Sequence, residues 1–212
     1  MIEYYGKEIP ITLEELVKPK HTALIIVDVQ NILFKRGKLL CQDMVNNLKT
    51  LIEKAREVGV MLIYIEDILL TRRRSDSAPW IRHYMIGRHT DNPTILGESV
   101  LDGSWEQQTI YEIKPLSEDI IIKKFRSSAF VGTSLDLILR NNKIKTTIIT
   151  GTVTHGCVES TCRSASNEYF VVIPEDCIWA NNQELHEACL KIMKSRYDVV
   201  RSEDIKFIWN NF

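Results

Sequence analysis

Residues 23–28 read ALIIVD, a run of five apolar residues that ends at a carboxylate. A continuous apolar run of this length is typical of a strand buried on both faces of a parallel sheet. A second such run covers residues 60–65, after a stretch with helical spacing at residues 43–58 that Gly59 ends. The alternation of strand and helix patterns predicts an α/β protein whose parallel sheet is covered by helices.

The same alternation continues through the second half of the chain. Further strands are predicted to begin at residue 120 and to cover residues 145–150, 169–173 and 199–200. Further helices are predicted to begin at Thr133 and to cover about residues 157–168 and 182–196. Because the sequence shows no repeat and no linker, residues 1–212 are predicted to form one domain.

Length and composition describe an ordinary folded protein. The chain has 212 residues, of which 44% are apolar and 26% charged, and this is enough to bury a core without a disulfide or a metal. A net charge of −1 argues against nucleic acid as a partner. The apolar runs are too short for a membrane helix. The cysteines lack disulfide spacing and the N-terminus lacks an apolar stretch, so we expect free thiols in a cytoplasmic protein.

Residues 67–118 interrupt the alternation of strands and helices. This segment is much longer than a plain connection, and it holds Trp80, Trp105 and the run Arg72–Arg74. We expect a partly helical excursion that acts as a lid or as an oligomer contact; the alternative is an exposed elaboration with no role in binding. Three consecutive arginines can hold a substrate carboxylate, but they are more typical of a solvated face.

Ionisable residues stand at the ends of three predicted strands. Open α/β sheets bind ligands beyond the carboxyl ends of their strands, where Asp28, Cys157 and one of Lys123 and Lys124 are expected. A carboxylate that follows a buried strand is costly unless a donor or a cation pairs with it. The two lysines point to opposite faces of a strand, so only one of them can serve.

Cys157 lies in the stretch GTVTHGCV, residues 151–158. A thiol at the start of a helix is expected to have a lowered pKa, and a tight glycine-rich turn there can aim amide groups at an oxyanion. The alternative is a buried cysteine that acts as a small apolar side chain, which is the role expected of the other four. A redox pair with Cys162 is disfavoured because two residues five apart on a helix project in different directions.

Metal and nucleotide motifs are not found in the sequence. His155 and Cys157 are two apart and His83 and His89 are six apart, and neither spacing is typical of zinc. His21 and His186 are interpreted as surface or capping residues. The sequence also lacks a glycine-rich phosphate loop and a GxSxG elbow. We therefore expect no metal and no cofactor.

Several motifs together resemble the isochorismatase-like cysteine hydrolases, a family that includes nicotinamidases and the N-carbamoylsarcosine, ureidoacrylate and biuret amidohydrolases. The resemblance extends from Thr12 to about Ile205. As in the family, a lysine stands six residues before a phenylalanine, here Lys124 and Phe130. The motifs are TLEELVKPKHTALIIVDVQN (residues 12–31), KFRSSAFVGTSLDLILR (residues 124–140), GTVTHGCVESTCRSA (residues 151–165) and VVIPEDCIWA (residues 171–180).

The resemblance implies a catalytic triad. Cys157 is then the nucleophile, Asp28 the general base and Lys124 the positive partner. It also implies an oxyanion hole made by the backbone amides of Thr154 and Cys157. The non-proline cis peptide of the family maps to Val153–Thr154.

The resemblance further implies the fold and the assembly. It predicts a three-layer, Rossmann-like α/β sandwich with a mostly parallel six-stranded sheet in the order 3-2-1-4-5-6, assembled as a homodimer or homotetramer. In that order Lys124 comes from farther along the sheet than Asp28 and Cys157, so it must lean inward or lie beyond the regular strand to reach them.

The implied reaction is hydrolysis of a C–N bond in a small amide, carbamoyl or ureido compound. Two alternatives stay open, a non-catalytic small-molecule-binding protein and a vinyl ether hydrolase, although true isochorismatases lack the cysteine. A metal-dependent nicotinamidase is disfavoured because residues 66–69 read EDIL where that subgroup has Asp-x-His. The residues expected to contact the substrate are Gln30, Trp80, Tyr84, Arg88 and Trp105.

Overall fold

Strands and helices alternate along the chain in the computed structural model, which describes residues 1–35 and 37–212. The strands are β1 (Ile2–Tyr4), β2 (Lys7–Ile9), β3 (Thr22–Val27), β4 (Phe34–Lys35), β5 (Lys38–Leu39), β6 (Met61–Asp67), β7 (Ile120–Lys124), β8 (Thr146–Thr152), β9 (Phe170–Pro174), β10 (Ile178–Trp179) and β11 (Asp198–Val200). The helices are α1 (Leu13–Leu16), α2 (Gln42–Glu57), α3 (Ala78–Gly87), α4 (Leu135–Asn141), α5 (Glu159–Ala165), α6 (Gln183–Lys194) and α7 (Ser202–Trp209).

Six strands form the main sheet in the order β7-β6-β3-β8-β9-β11, and every neighbouring pair is parallel. Numbered along the chain, these strands have the order 3-2-1-4-5-6, as predicted. A seventh strand, β10, was not predicted and pairs with the end of β8. The strand order reverses between β3 and β8, so a crevice opens there at the carboxyl edge of the sheet.

Alternate side chains of β3 point into two separate cores, which explains why the whole strand is apolar. Leu24 and Ile26 pack into the layer formed by α2 and α7. Ala23, Ile25 and Val27 pack into the opposite layer, formed by α4, α5 and α6. The three-layer α/β sandwich is therefore confirmed.

Helix α7 was missed by the sequence analysis. Its two fully buried side chains, Ile205 and Trp209, are too few to reveal a helical period. The Trp209 indole nitrogen donates a hydrogen bond of 2.7 Å to the carbonyl oxygen of Val17. Helix α7 therefore fastens the end of the chain to the segment that precedes β3.

The long excursion after β6 is partly helical, as predicted. It contains α3 and three short 3₁₀ turns, at Thr71–Arg73, Pro93–Leu96 and Tyr111–Ile113. The amide of Ile110 donates to the carbonyl of Val29, so the excursion is tied to the segment that follows β3. Within the described part of the chain, no helix has the length and apolar character needed to cross a membrane.

Candidate active site

Asp28 follows the last residue of β3 and turns the chain away from the sheet. Its φ of 52° is left-handed, a conformation that aspartate tolerates better than most residues, and its amide donates to the Ile65 carbonyl at 3.0 Å. Its Oδ2 lies 2.8 Å from Lys124 Nζ. Among the described residues, its buried Oδ1 has no hydrogen-bond partner. The Lys124 ammonium therefore fixes the carboxylate through one of its two oxygens.

Lys124 ends β7 and brings three groups together. Its fully buried ammonium lies 2.8 Å from Asp28 Oδ2, 3.1 Å from Asp67 Oδ1 and 3.3 Å from Cys157 Sγ. Strands β7 and β3 are two places apart, roughly 10 Å. The lysine side chain spans this gap because the intervening strand β6 ends at Asp67, which pairs in register with Lys124.

Lys123 faces away from this site, as the alternation of a strand requires. Its exposed ammonium pairs with Asp102 in the excursion. The structure therefore brings Lys124, and not its neighbour, to Asp28 and Cys157.

Cys157 lies in a single π-helical turn, Thr154–Val158, that joins β8 to α5. The preceding Gly151 has a φ of 106°, and a Cβ on this residue would lie 2.0 Å from the Val27 carbonyl oxygen. Only glycine permits this approach of β8 to β3. The close contact sets the turn Thr154–Val158 directly beside Asp28. We call it the nucleophile turn because it carries the candidate nucleophile, Cys157.

The predicted position of the cis peptide was wrong by one bond. The cis bond joins Thr152 and Val153, whereas the prediction placed it between Val153 and Thr154. Strand β8 ends at Thr152, whose hydroxyl donates to the Asp28 carbonyl at 2.8 Å. Strand β8 therefore runs two residues beyond its predicted end at residue 150, and the cis bond follows it directly.

The predicted lowering of the Cys157 pKa was also wrong. Burial raises the pKa of this thiol above its usual value, the Asp28 carboxylate raises it further, and the Lys124 ammonium offsets only part of the rise. Helix α5 begins at Glu159, so Cys157 does not occupy its first turn. In the resting protein the side chain of Cys157 is therefore a neutral thiol.

The neighbouring carboxyl group is suited to accept the thiol proton. Burial raises the pKa of Asp28 to about 6, with Lys124 lowering it and Asp67 raising it. Burial alone disfavours the Lys124 ammonium, but the surrounding anionic groups outweigh this and hold its pKa above the ordinary value. At neutral pH the site thus contains a carboxylate, an ammonium and a thiol in contact.

A cavity of about 290 Å³ opens above these three groups and is lined by Asp28 and Cys157. Its outer wall comes from α3 and the residue that follows it, through Trp80, Tyr84 and Arg88. The structure places these three predicted contact residues at the cavity. Two cations hold the aromatic rings of the wall: Arg126 lies 5.2 Å from the centroid of Trp80, and Arg73 lies 5.4 Å from that of Tyr84.

Trp105 does not line this cavity, so its predicted substrate contact was wrong. Its carbonyl accepts a hydrogen bond of 2.9 Å from the Asn31 side chain, and its ring packs 6.1 Å from the Phe34 ring. This anchoring points the indole into a separate groove of about 770 Å³. That groove is larger than the cavity but contains neither Asp28, Lys124 nor Cys157, so we place the chemistry in the smaller one.

Gln30 lines the cavity, but its amide is engaged with the protein backbone. Its Nε2 donates to the carbonyls of Asp67 and Gln107, and its Oε1 accepts from the amide of Asp67. The side chain therefore fixes the end of β6 and the base of the excursion.

Asp67 is a site residue that the sequence analysis did not single out. It ends β6 and carries the second carboxylate on Lys124. Asp67 follows the rule that selected Asp28, an ionisable residue at the carboxyl end of a strand, but it was assigned to the excursion. The neighbouring Glu66 accepts from Gln107 and Thr109 and so anchors the excursion. Among the described residues, no group of three or more His, Cys, Asp or Glu side chains is arranged to hold a metal ion.

Sequence comparison finds a family model and named proteins that are similar to this chain. The isochorismatase domain model matches residues 22–204. The ureidoacrylate amidohydrolase RutB of Enterobacter sp. (strain 638) is 33% identical over 172 residues, which cover 74% of this chain and 75% of that protein.

Structural comparison finds the same fold in solved proteins. A cysteine hydrolase from Pseudomonas syringae pv. phaseolicola superposes with a TM-score of 0.78 at 23% identity, over 92% of this chain and 94% of that chain. An N-carbamoylsarcosine amidase from Thermoplasma acidophilum superposes with a TM-score of 0.67 at 27% identity, over 85% of this chain and 96% of that chain. The family-model match spans most of the chain, and this protein belongs to the isochorismatase family.

Proposed function

We propose that this protein is a cysteine-dependent hydrolase that cleaves a C–N bond of a small amide, carbamoyl or ureido compound. The observation that carries the proposal is the contact of one buried ammonium, Lys124 Nζ, with both Asp28 Oδ2 and Cys157 Sγ at the floor of a cavity. A nucleophile in contact with a general base is an arrangement that supports covalent acyl transfer, and a shared cation can balance the charge that moves between them.

In the proposed first step, Asp28 takes the proton of Cys157 as the sulfur attacks the carbonyl carbon. The negative charge that develops on the carbonyl oxygen is stabilised by the backbone amides of Thr154 and Cys157. Asp28 then passes its proton to the leaving nitrogen, and an amine or ammonia departs. The product is an acyl thioester on Cys157, or a thiocarbamate when the substrate is a ureido compound.

In the second step, water replaces the leaving amine. Asp28, again a carboxylate, removes a proton from the water as its oxygen attacks the thioester carbon. The C–S bond breaks, the proton returns to the sulfur, and an acid is released. Lys124 remains protonated throughout and balances the charge that moves between Asp28 and the sulfur.

The cavity favours a small substrate that carries a carboxylate. Arg88 stands at its rim, and a guanidinium binds carboxylates through paired hydrogen bonds. The relatives named for ureidoacrylate and N-carbamoylsarcosine support a substrate of this class. We therefore place ureido and carbamoyl acids first among the candidates.

The proposal is tested by measuring ammonia release from panels of small amides, carbamoyl acids and ureido acids. We expect turnover by the wild type and a loss of at least about 10³-fold in Cys157→Ala. Cys41→Ala, which removes a buried thiol outside the cavity, is the matched control and is expected to keep its activity. Intact mass after rapid acid quench should show an acyl adduct on the wild type and none on Cys157→Ala.

Three results would contradict the proposal. Full activity in Cys157→Ala would exclude the cysteine mechanism. Saturable binding of these compounds without any turnover would favour the non-catalytic alternative, and turnover confined to vinyl ethers would favour the isochorismatase reaction.

A further inference from the structure

The hydroxyl of Thr154, in the nucleophile turn, makes a hydrogen bond with a histidine that the proposed mechanism does not use. Thr154 is fully buried, and its Oγ1 lies 2.8 Å from Nδ1 of His186 on α6. One turn farther along the same face of α6, the Cys189 thiol donates to the Thr154 carbonyl at 3.5 Å. Helix α6 thus holds both the side chain and the carbonyl of a residue whose amide is a proposed oxyanion donor.

A capped first turn and a buried side chain fix helix α6, which contacts Thr154. Asn182 caps its first turn by accepting a hydrogen bond of 3.0 Å from the Leu185 amide. Met193 lies one turn beyond Cys189, is fully buried, and packs in the same core as β8. The core therefore fixes the helix that carries His186.

Hydrogen-bond counting assigns the protonation state of His186. A buried hydroxyl needs an acceptor for its proton, and Nδ1 of His186 is the only partner of Thr154 Oγ1 among the described residues. A neutral ring with its proton on Nε2 supplies that acceptor. A protonated ring has two donors and no acceptor, and it leaves the hydroxyl proton unpaired.

The surroundings of His186 keep the ring neutral. Partial burial lowers its pKa, and His155 on the nucleophile turn lowers it further. Glu187 on α6 and Glu175 after β9 act in the opposite direction but do not outweigh burial. The interpretation of His186 as a surface or capping residue was therefore wrong, because the contact depends on a helix packing against a turn 32 residues earlier.

We propose that His186, in its neutral form, is a positioning residue that aligns the oxyanion turn through its hydrogen bond to Thr154. This inference rests on the proposed function for its effect on rate, but not for the bond itself. Misalignment of a catalytic group by a fraction of an ångström to 1 Å costs up to about 10²-fold in rate. We therefore expect His186→Ala to lower kcat about 10- to 100-fold with little change in KM.

The conservative variant separates positioning from bulk structure. In His186→Asn, the side-chain Oδ1 can occupy the place of Nδ1 and accept from Thr154 without titrating. We expect this variant to recover most of the kcat that His186→Ala loses. Protonation of His186 removes the acceptor for the Thr154 hydroxyl, so we expect it to lower the kcat of the wild type at acid pH. The Asn variant lacks this ionisation, so the fall of its kcat at acid pH should follow the ionisation of Asp28 alone. His21→Ala, far from the site at the start of β3, is the control and should leave kcat and the limb unchanged.

A measurement without substrate decides the inference even if no amide is turned over. Nitrogen-15 NMR of the free protein should show an unprotonated Nδ1 and a protonated Nε2 for His186 at pH 7. Amide hydrogen exchange across Thr154–Val158 should speed up in His186→Ala and stay slow in His186→Asn. Thr154→Val should have the same effect as His186→Ala, and the double variant should show no further change.

The outcomes separate the two proposals. An inactive wild type with the expected NMR and exchange results would overturn the proposed function and leave the role of His186 in the turn intact. A doubly protonated ring at pH 7, unchanged exchange in His186→Ala, or equal kcat losses in the Asn and Ala variants would overturn the inference about His186.

Discussion

At the scale of single residues, the candidate site is built around one buried cation shared by two carboxylates and a thiol. Lys124 contacts Asp28, Asp67 and Cys157. These four residues are far apart in the sequence, and the folded sheet brings them together. Burial and the Asp67 carboxylate raise the pKa of Asp28, and the shared Lys124 ammonium offsets only part of this rise. This is the condition under which a carboxylate can accept and return a proton near neutral pH.

We predict that Lys124→Met abolishes turnover while Lys123→Met does not. The two lysines are adjacent and carry the same charge, so the pair forms a matched control. Without the ammonium, the buried Asp28 carboxylate and the half-buried Asp67 carboxylate repel each other and the pKa of Asp28 rises, so Asp28 is no longer ionised at pH 7. Steady-state kinetics at pH 7 should show a loss of at least about 10²-fold for Lys124→Met; similar rates for the two variants would contradict the assignment.

We predict an acid limb in kcat/KM that is governed by Asp28. The mechanism needs the carboxylate, and burial raises the pKa of Asp28 to about 6. Activity should therefore be complete above this pH and should fall as the pH drops through it. Asp67→Asn removes the negative charge that raises this pKa, so its limb should lie at lower pH than that of the wild type.

The matched control for this prediction is Asp102→Asn. Asp102 pairs with Lys123 outside the cavity, so its limb should coincide with that of the wild type. An Asp67→Asn limb that is unmoved, or that moves to higher pH, would show that Asp67 does not set the pKa of Asp28.

At the scale of secondary structure, the site is assembled where four parallel strands end and the chain turns away. Strands β3, β6 and β7 end beside or at Asp28, Asp67 and Lys124, and β8 leads into the nucleophile turn. The contact between β8 and β3 at Gly151 sets the position of that turn.

We predict that Gly151→Ala destabilises the protein by about 3 kcal/mol or more. The added Cβ would overlap the Val27 carbonyl oxygen at 2.0 Å, and the left-handed φ of 106° adds strain. Gly59→Ala is the control, because Gly59 also has a left-handed φ, of 75°, but a Cβ there meets nothing within 4 Å. Its cost should be about 1 kcal/mol. Urea unfolding measures both, and equal losses would contradict the steric argument.

At the scale of the whole molecule, the excursion closes a crevice that the sheet alone would leave open. The segment between β6 and β7 supplies the aromatic and cationic wall of the cavity, and Glu66 and Gln30 bind its base to the sheet. The sheet therefore provides the proposed reacting groups, and the excursion provides the outer wall of the cavity.

We predict that Arg88→Ala raises KM about 10-fold or more for ureido and carbamoyl acids and leaves KM for neutral amides unchanged. The guanidinium at the rim is the group expected to meet the substrate carboxylate. Arg82→Ala is the control and should behave as the wild type, because Arg82 is exposed on α3 and does not line the cavity. An equal rise in KM for charged and neutral substrates would exclude carboxylate recognition by Arg88.

The assembly of the protein stays a prediction. We expect a homodimer or homotetramer with the excursion at an interface. Analytical ultracentrifugation at micromolar concentration should give a mass of two or four chains; a single-chain mass across the concentration range would contradict this expectation.

The layers of the fold followed from local pattern because the six parallel strands of the main sheet and most helices carry their own signal, whereas the short strands β1, β2, β4, β5 and β10 do not. The run at residues 23–28 is apolar on both faces, and Gly59 ends a helix whose period is plain, so the layers and the family could be predicted. Asp28, Cys157 and the pair of Lys123 and Lys124 were singled out because ionisable residues at strand ends stand out against apolar neighbours, and the family resemblance then selected Lys124. A short helix such as α7, with two buried side chains, did not carry enough signal.

Groups whose role depends on a distant neighbour were decided only by the tertiary structure. The sequence by itself determined which stretches form the strands of the main sheet, because that depends on hydrophobic patterning along a few neighbours. It did not determine the raised pKa of Cys157, the place of Asp67 beside Lys124, or the contact of His186 with Thr154. Burial, electrostatic coupling and hydrogen bonding act through space, so their sign and partner exist only once the strands and helices have packed.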